Sequence, residues 1–306
     1  MVLPLIAAIA IYDFIHLLTE IRIRPGRLAP CRSVVVMATR GVKGWGRYRD
    51  FVDYVVVDDR RTAEEAEAAG LRALLNKYGG KSGALATALE ELEAELYIFV
   101  DDDAVPGPWL DLLRRSCGRF ATAYRWVLDR FQNAFSLGGF DWMVWKKTRF
   151  MYGGAMAIPG HRRREVAEAL KVCPVDDMAV TAVAEDIEVL PYLVPMEPAD
   201  GAWEFFIRQA TAAKIGNAAL WAMELVYYGL WTAAAVLFPP LFLLQAARTA
   251  LRSRRALGRV DWVQVLLSPI ERPLQFAVFL ATIPRRCFRW RGRIVCGCSR
   301  QSRLPS

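Results

Sequence analysis

Three short runs of β-branched and aromatic residues, Ser33-Val34-Val35-Val36-Met37-Ala38, Tyr54-Val55-Val56-Val57 and Tyr97-Ile98-Phe99-Val100, each give way to polar or acidic residues. Strands buried on both faces of a parallel sheet have this appearance. Between them, residues 63–75 and 83–96 are rich in Ala, Leu and Glu at helical spacing, so the order reads β-α-β-α-β. The pattern predicts an α/β, doubly wound sheet with its ligand site beyond the carboxyl ends of the strands.

The rest of the chain is unlike a water-soluble domain. Apolar residues make up 54% of the 306 and mean hydropathy is +0.19, yet 24% of residues are charged, so the hydrophobicity is segregated. Residues 1–18 are apolar apart from Asp13 and His16, about the length a bilayer core of ~30 Å requires of a helix. No Lys or Arg precedes that run and no small-x-small site follows it, while Arg22, Arg24 and Arg27 form a cytosolic-type flank. It reads as an anchor rather than a signal peptide.

Residues 225–247 carry no charge and can cross, with a kink at Pro239-Pro240. Residues 262–283 are interrupted by Glu271-Arg272 and are expected either to cross or to lie partly in the interface. The expected organisation is an anchor over 1–20, a catalytic domain over 31–207, and a membrane region over 208–306. That last region holds one or two transmembrane helices, an amphipathic segment and a basic tail.

Net charge is +8, but the arginines gather beside the apolar stretches, which favours a membrane surface over nucleic acid. Six cysteines lie apart except Cys296 and Cys298, and only His16 and His161 supply imidazole. Reduced structural thiols are expected and a zinc site is not.

Carboxylates stand where the fold pattern puts ligands. Asp58-Asp59 follows the second run, where such groups accept hydrogen bonds from a ribose or base, or else cap the helix that follows. Asn76-Lys77-Tyr78-Gly79-Gly80-Lys81-Ser82-Gly83 is a Gly-rich helix opening whose N–H groups and Lys81 suit phosphate, though its spacing is not that of a P-loop. Asp101-Asp102-Asp103 follows the third run. Three adjacent carboxylates in an apolar setting call for a cation, and Asp101 with Asp103 suits Mg2+ or Mn2+ shared with a diphosphate. Further on, Gly153-Gly154 permits close backbone approach, and Asp176-Asp177 before an apolar run suits a general base or a helix cap.

In this order the signals resemble the inverting glycosyltransferases of the GT-A fold, families 2 and 21, over residues 33–214. The strings Ala121-Thr122-Ala123-Tyr124-Arg125-Trp126, Gly153-Gly154-Ala155-Met156-Ala157-Ile158 and Trp290-Arg291-Gly292-Arg293 are similar to those of the ceramide glucosyltransferase family and its prokaryotic relatives. The resemblance implies a nucleotide-diphospho-sugar transferase domain of Rossmann-like type. Asp58 and Asp59 would be at the nucleotide, and Asp101 and Asp103 at ribose and metal-diphosphate. Asp177 would be the base, with Asp176 second to it, and Gly153-Gly154 would lie at the acceptor.

Two departures stand out. The family's Gln-x-x-Arg-Trp is missing after Arg208-Gln209, with Lys214 the next cation, which argues against a polymerase and leaves Arg208, Gln209 or Lys214 to reach the diphosphate. Thr39-Arg40-Gly41-Val42-Lys43-Gly44 replaces the usual Arg-Asn-Glu.

The expected activity is metal-dependent transfer of one hexose, with inversion, from a UDP- or GDP-hexose to a membrane lipid hydroxyl. The protein is expected to be integral to the membrane, with its catalytic domain facing the cytosol. The alternatives are a polyprenyl-phosphate sugar transferase and a catalytically inactive sugar-nucleotide-binding or scaffold protein.

Overall fold

The computed structural model describes residues 2–26, 29–42, 44–290 and 293–296. Arg27, Lys43, Arg291, Gly292, Cys298 and Arg303 lie outside them. The chain forms two compact units, one built on Arg24–Arg125 with Arg149–Val194, the other on residues 2–23, Trp126–Thr148 and residues 195–296. The sheet-bearing unit is thus not the contiguous stretch 31–207. Residues 126–148 and 195–207 belong with the helices.

The helical unit begins with α1 (Val2–Ile21). The sheet unit then runs β1 (Ser33–Ala38), β2 (Tyr54–Val57), α2 (Arg60–Ala68), β3 (Arg72–Leu75), α3 (Gly80–Glu91), β4 (Leu96–Val100), α4 (Pro108–Arg114) and β5 (Phe120–Thr122). The chain leaves it within β6 (Arg125–Val127) for α5 (Arg130–Val144). It returns for β7 (Ala155–Pro159), α6 (Arg163–Val172), α7 (Asp176–Val183) and β8 (Ile187–Val189), then leaves again within β9 (Val194–Met196), which pairs with β6.

The sheet order is β3-β2-β1-β4-β7-β5-β8, a mixed α/β sheet dominated by parallel pairs, as the strand pattern predicts. Val36 lies opposite both Tyr54 and Phe99, so β1, β2 and β4 end at one edge. β7 runs antiparallel to β4 with Ala155 opposite Val100, which brings the start of β7 to the edge where β4 ends. Val36, Phe99 and Met156 are buried against Leu85 of α3, Val166 of α6 and Val180 of α7.

Two expectations change here. Residues 63–75 are not one helix: α2 stops before Gly70, which takes φ 85°, and Arg72–Leu75 pairs with β2. Ala and Leu favour helix only weakly, and an open sheet edge outweighs that preference. The cysteines are not reduced, because Cys31 and Cys117 form a disulfide within this unit and Cys287 and Cys296 form another in the helical unit. Among the described residues no cysteine is free.

In the helical unit α8 (Ala202–Gly216), α9 (Ala218–Leu237), α10 (Leu241–Leu257), α11 (Trp262–Leu267) and α12 (Glu271–Ala281) follow, closed by the hairpin β10 (Phe288–Trp290) and β11 (Arg293–Val295). The apolar stretch 225–247 is not one kinked helix. Phe238-Pro239-Pro240 separates α9 from α10, since the prolines cannot continue the hydrogen-bond ladder. Among the described residues, α1 and α9 are the two helices long and apolar enough to cross a membrane.

Polar and apolar residues are distributed inside out in this unit. Asp13 of α1 accepts hydrogen bonds from Tyr227 and Trp231 of α9, and Glu20 pairs with Arg252 of α10 at 2.8 Å. Asp141 of α5 binds Arg248, Arg252 and Arg272. These groups are buried, while Leu3, Ile11, Met223, Val236, Leu243 and Leu266 are exposed. The spacing of Asp13, His16 and Glu20 puts the polar groups of α1 on one face, and Arg248, Arg252 and Arg255 do the same on α10.

Candidate active site

Asp101 and Asp103 leave the end of β4, while Gly153-Gly154 precedes the antiparallel β7, so the two segments meet: the Asp101 N–H donates to Gly154 O at 3.2 Å. Asp176 and Asp177 form the first turn of α7, where free N–H groups favour carboxylates. Asp177 accepts a hydrogen bond from the Gly153 N–H, and the Thr181 hydroxyl donates to the Asp177 carbonyl. A Cβ at Gly153 would collide with both Asp176 and Asp177, so the backbone approach permitted there is used by the chain's own carboxylates. A Cβ at Gly154 would lie 2.6 Å from the Tyr152 ring.

Lys81, in the first turn of α3, joins the two acidic segments. Its ammonium lies 2.6 Å from Asp101 and 2.9 Å from Asp176 and donates to Gly153 O at 3.1 Å. Lys81, expected at a phosphate, bridges carboxylates here.

The electrostatics follow from burial. It raises the Asp101 carboxyl against the pull of Lys81. Burial, with repulsion from Asp101 and Asp102, pushes Asp103 up to about 7. Burial and the Asp176 charge likewise push Asp177 up to about 7. Burial works against the charged Lys81, but Asp101, Asp176 and Asp177 outweigh it and hold the ammonium well above its ordinary value. Negative charge therefore exceeds positive in this corner, and among the described residues a buried Asp103 oxygen has no hydrogen-bond partner. Both features fit a divalent cation. Among the described residues the aspartates do not close into a three-ligand cluster, so such an ion would complete its shell with ligand oxygens and water.

Asp102 faces elsewhere. It accepts from the Thr39 hydroxyl at 2.7 Å, and its carbonyl receives Tyr48 and Arg47, which fasten the acidic loop to the end of β1 and the turn at Trp45–Tyr48.

Asp59 caps α2, accepting from Thr62 N at 2.9 Å and its hydroxyl at 2.8 Å, while Asp58 binds Arg40 at 3.1 Å and Asn76 at 2.7 Å. Arg208, Gln209 and Lys214 lie on α8, in the helical unit, where Lys214 donates to the carbonyls of Thr282 and Arg285 beyond α12. Sequence reasoning gave no role to Arg125, which is buried with its guanidinium 5.5 Å from the rings of both Tyr124 and Tyr152. An Arg beside aromatics carries no distinctive spacing, so the sequence marks it only through the string that contains it.

No protein-family model matches the sequence, and no curated protein matches it. Among solved structures, the chain is similar to a mannosyltransferase from Pyrobaculum calidifontis in complex with GDP-Man and Mn2+. The two share 17% identity, with 89% of this chain and 99% of that chain covered and a TM-score of 0.44. It is also similar to the glucosyl-3-phosphoglycerate synthase of Mycobacterium tuberculosis in complex with Mn2+, uridine diphosphate and phosphoglyceric acid. There the identity is 14%, coverage is 55% of this chain and 72% of that one, and the TM-score is 0.36. Likeness at this level assigns no activity to the chain.

Proposed function

We propose that the chain is a membrane-bound glycosyltransferase of GT-A type, which transfers a single hexose from a UDP- or GDP-hexose to a lipid hydroxyl with inversion. The observation that carries the reading is the convergence of Asp101 with Asp176 and Asp177 at Gly153, tied by Lys81, with the buried Asp103 carboxyl within electrostatic reach of Asp101 and Lys81. One acidic pair suits a metal-bound diphosphate and the other a proton acceptor, within one buried corner.

In this mechanism Asp177 takes the proton of the acceptor hydroxyl as its oxygen attacks the anomeric carbon. The bond from that carbon to the diphosphate breaks on the opposite side, and the nucleoside diphosphate leaves. The Gly153 N–H orients the Asp177 carboxylate, and Lys81 holds Asp176 and Asp101 apart from one another's charge. Asp101 and Asp103 would hold Mg2+ or Mn2+, which when bound stabilises charge developing on the diphosphate. Asp58, at the end of β2, is assigned to the nucleotide.

A lipid acceptor is supported by the helical unit, whose buried ion pairs and exposed apolar faces suit hydrocarbon surroundings. The Arg22 flank supports a cytosolic face for the catalytic unit, in a cell type that keeps intracellular disulfides such as Cys31–Cys117.

The test is mass spectrometry of products after incubating the reconstituted protein with Mn2+, a panel of nucleotide sugars and lipid extract. Nucleoside diphosphate should appear only with lipid present, and Asp177→Asn should abolish it. Full turnover by that variant would remove the base and leave a phosphate acceptor, which needs none.

A further inference from the structure

α11 is too short to cross a membrane, yet it repeats the inside-out pattern of the helical unit. Across α11 and the 3-10 turn that continues it (Ser268–Ile270), Trp262, Leu266 and Ile270, spaced four apart, are 68%, 78% and 39% exposed, while Gln264 and Ser268 are fully buried. A segment in water would turn these faces the other way.

Its position along the unit is fixed by hydrogen bonds. The Asp261 N–H donates to Ser253 of α10 at 3.2 Å, and the Asp261 carboxylate caps α11. α11 therefore starts beside Arg254. At the same level Arg255 donates to the carbonyl of Glu20, which places the end of α1, and Arg22 after it, there too. Arg22, Arg254 and Arg259 are all exposed, and among the described residues neither Arg254 nor Arg259 forms an ion pair. The other end of α10 is the uncharged turn Phe238-Pro239-Pro240, also exposed. The unit thus has an apolar end and an arginine-lined end, with Trp262 at the boundary.

We propose that this boundary docks on an anionic lipid leaflet: Trp262 sits at the headgroup level, Leu266 and Ile270 enter the hydrocarbon, and Arg22, Arg254 and Arg259 bind lipid phosphates. Tryptophan favours this level because its ring is apolar and its N–H polar. Basic residues there gain from anionic headgroups. The inference rests on the membrane association proposed above and is independent of the transfer chemistry.

The experiment uses the full chain in bilayer nanodiscs of phosphatidylcholine with phosphatidylglycerol. Native mass spectrometry reads which lipids stay bound after extraction. Phosphatidylglycerol should be retained preferentially, and Arg254→Gln with Arg259→Gln should reduce the preference roughly twenty-five-fold, about fivefold per arginine. An unchanged preference overturns the proposal. Independently, a bimane label on Leu266→Cys should be quenched by brominated lipid and shielded from aqueous iodide, and iodide quenching equal to that of a free dye would overturn the assignment of the face. A chain that remains monodisperse in water without lipid or detergent would remove the membrane reading itself, an outcome distinct from these two.

Discussion

The Lys81 ammonium sits 2.6 Å from the Asp101 carboxylate, with 8% of the lysine side chain exposed, and the same nitrogen reaches Asp176 at 2.9 Å. One buried cation therefore bridges the segment after β4 and the start of α7 and offsets part of their charge. Replacing it by methionine keeps the volume but leaves those carboxylates uncompensated. Breaking a buried pair from one side costs roughly 3–5 kcal/mol. Lys81→Met should lower the urea midpoint accordingly and reduce kcat at least a hundredfold. A variant of native stability and activity would show that the bridge is incidental.

Gly153→Ala is the smallest change that tests the close approach at β7. Its Cβ would overlap Asp176 and Asp177, so α7 must shift or the carboxylates must rotate away. Overpacking of this kind costs about 1–3 kcal/mol. We expect a loss of activity well beyond the loss of stability, because the displaced atoms are those proposed to take the proton. Equal Tm with full turnover would count against the site.

The pH profile follows from Asp177. Burial and the Asp176 charge hold its proton up to about 7, and only the ionised form can act as base. In the free enzyme kcat/KM should fall about tenfold per unit as pH drops below that value. A cation beside Asp101 weakens the repulsion, so saturating Mn2+ should move the midpoint downward. The elevated value also means that the folded state holds a proton the unfolded chain has lost between about pH 4 and 7. This group's contribution to stability is therefore fully present below that window and lost as pH rises through it. A flat profile from pH 5 to 8 would exclude an acidic base with this value.

The Cys31–Cys117 disulfide closes a sequence separation of 86 residues. In the chain-entropy account a loop of that size stabilises by about 4 to 5 kcal/mol. The paired Cys31→Ser and Cys117→Ser variant should show a matching fall in denaturation free energy, with kcat little changed in whatever remains folded. A difference under about 1 kcal/mol would show that the sheet's packing makes the crosslink redundant.

The sequence alone determined β1, β2 and β4 and the acids at their ends. Alternation of β-branched runs with helical spacing is a local signal, and a parallel strand buried on both faces has few other ways to be written. It likewise marked the Asp176-Asp177 start of α7 and the apolar character of α1 and α9. It could not show that residues 72–75 add a strand to β2, that 126–148 belong with the terminal helices, that Cys31 meets Cys117, or that Lys81 faces aspartates. Nor did it show that Asp13 and Glu20 of α1 belong with Arg248 and Arg252. Each of these is a pairing between segments far apart in the chain. The free energy that selects such a pair, whether sheet registry, ion pairing or disulfide closure, exists only once the intervening chain has folded and brought the partners together.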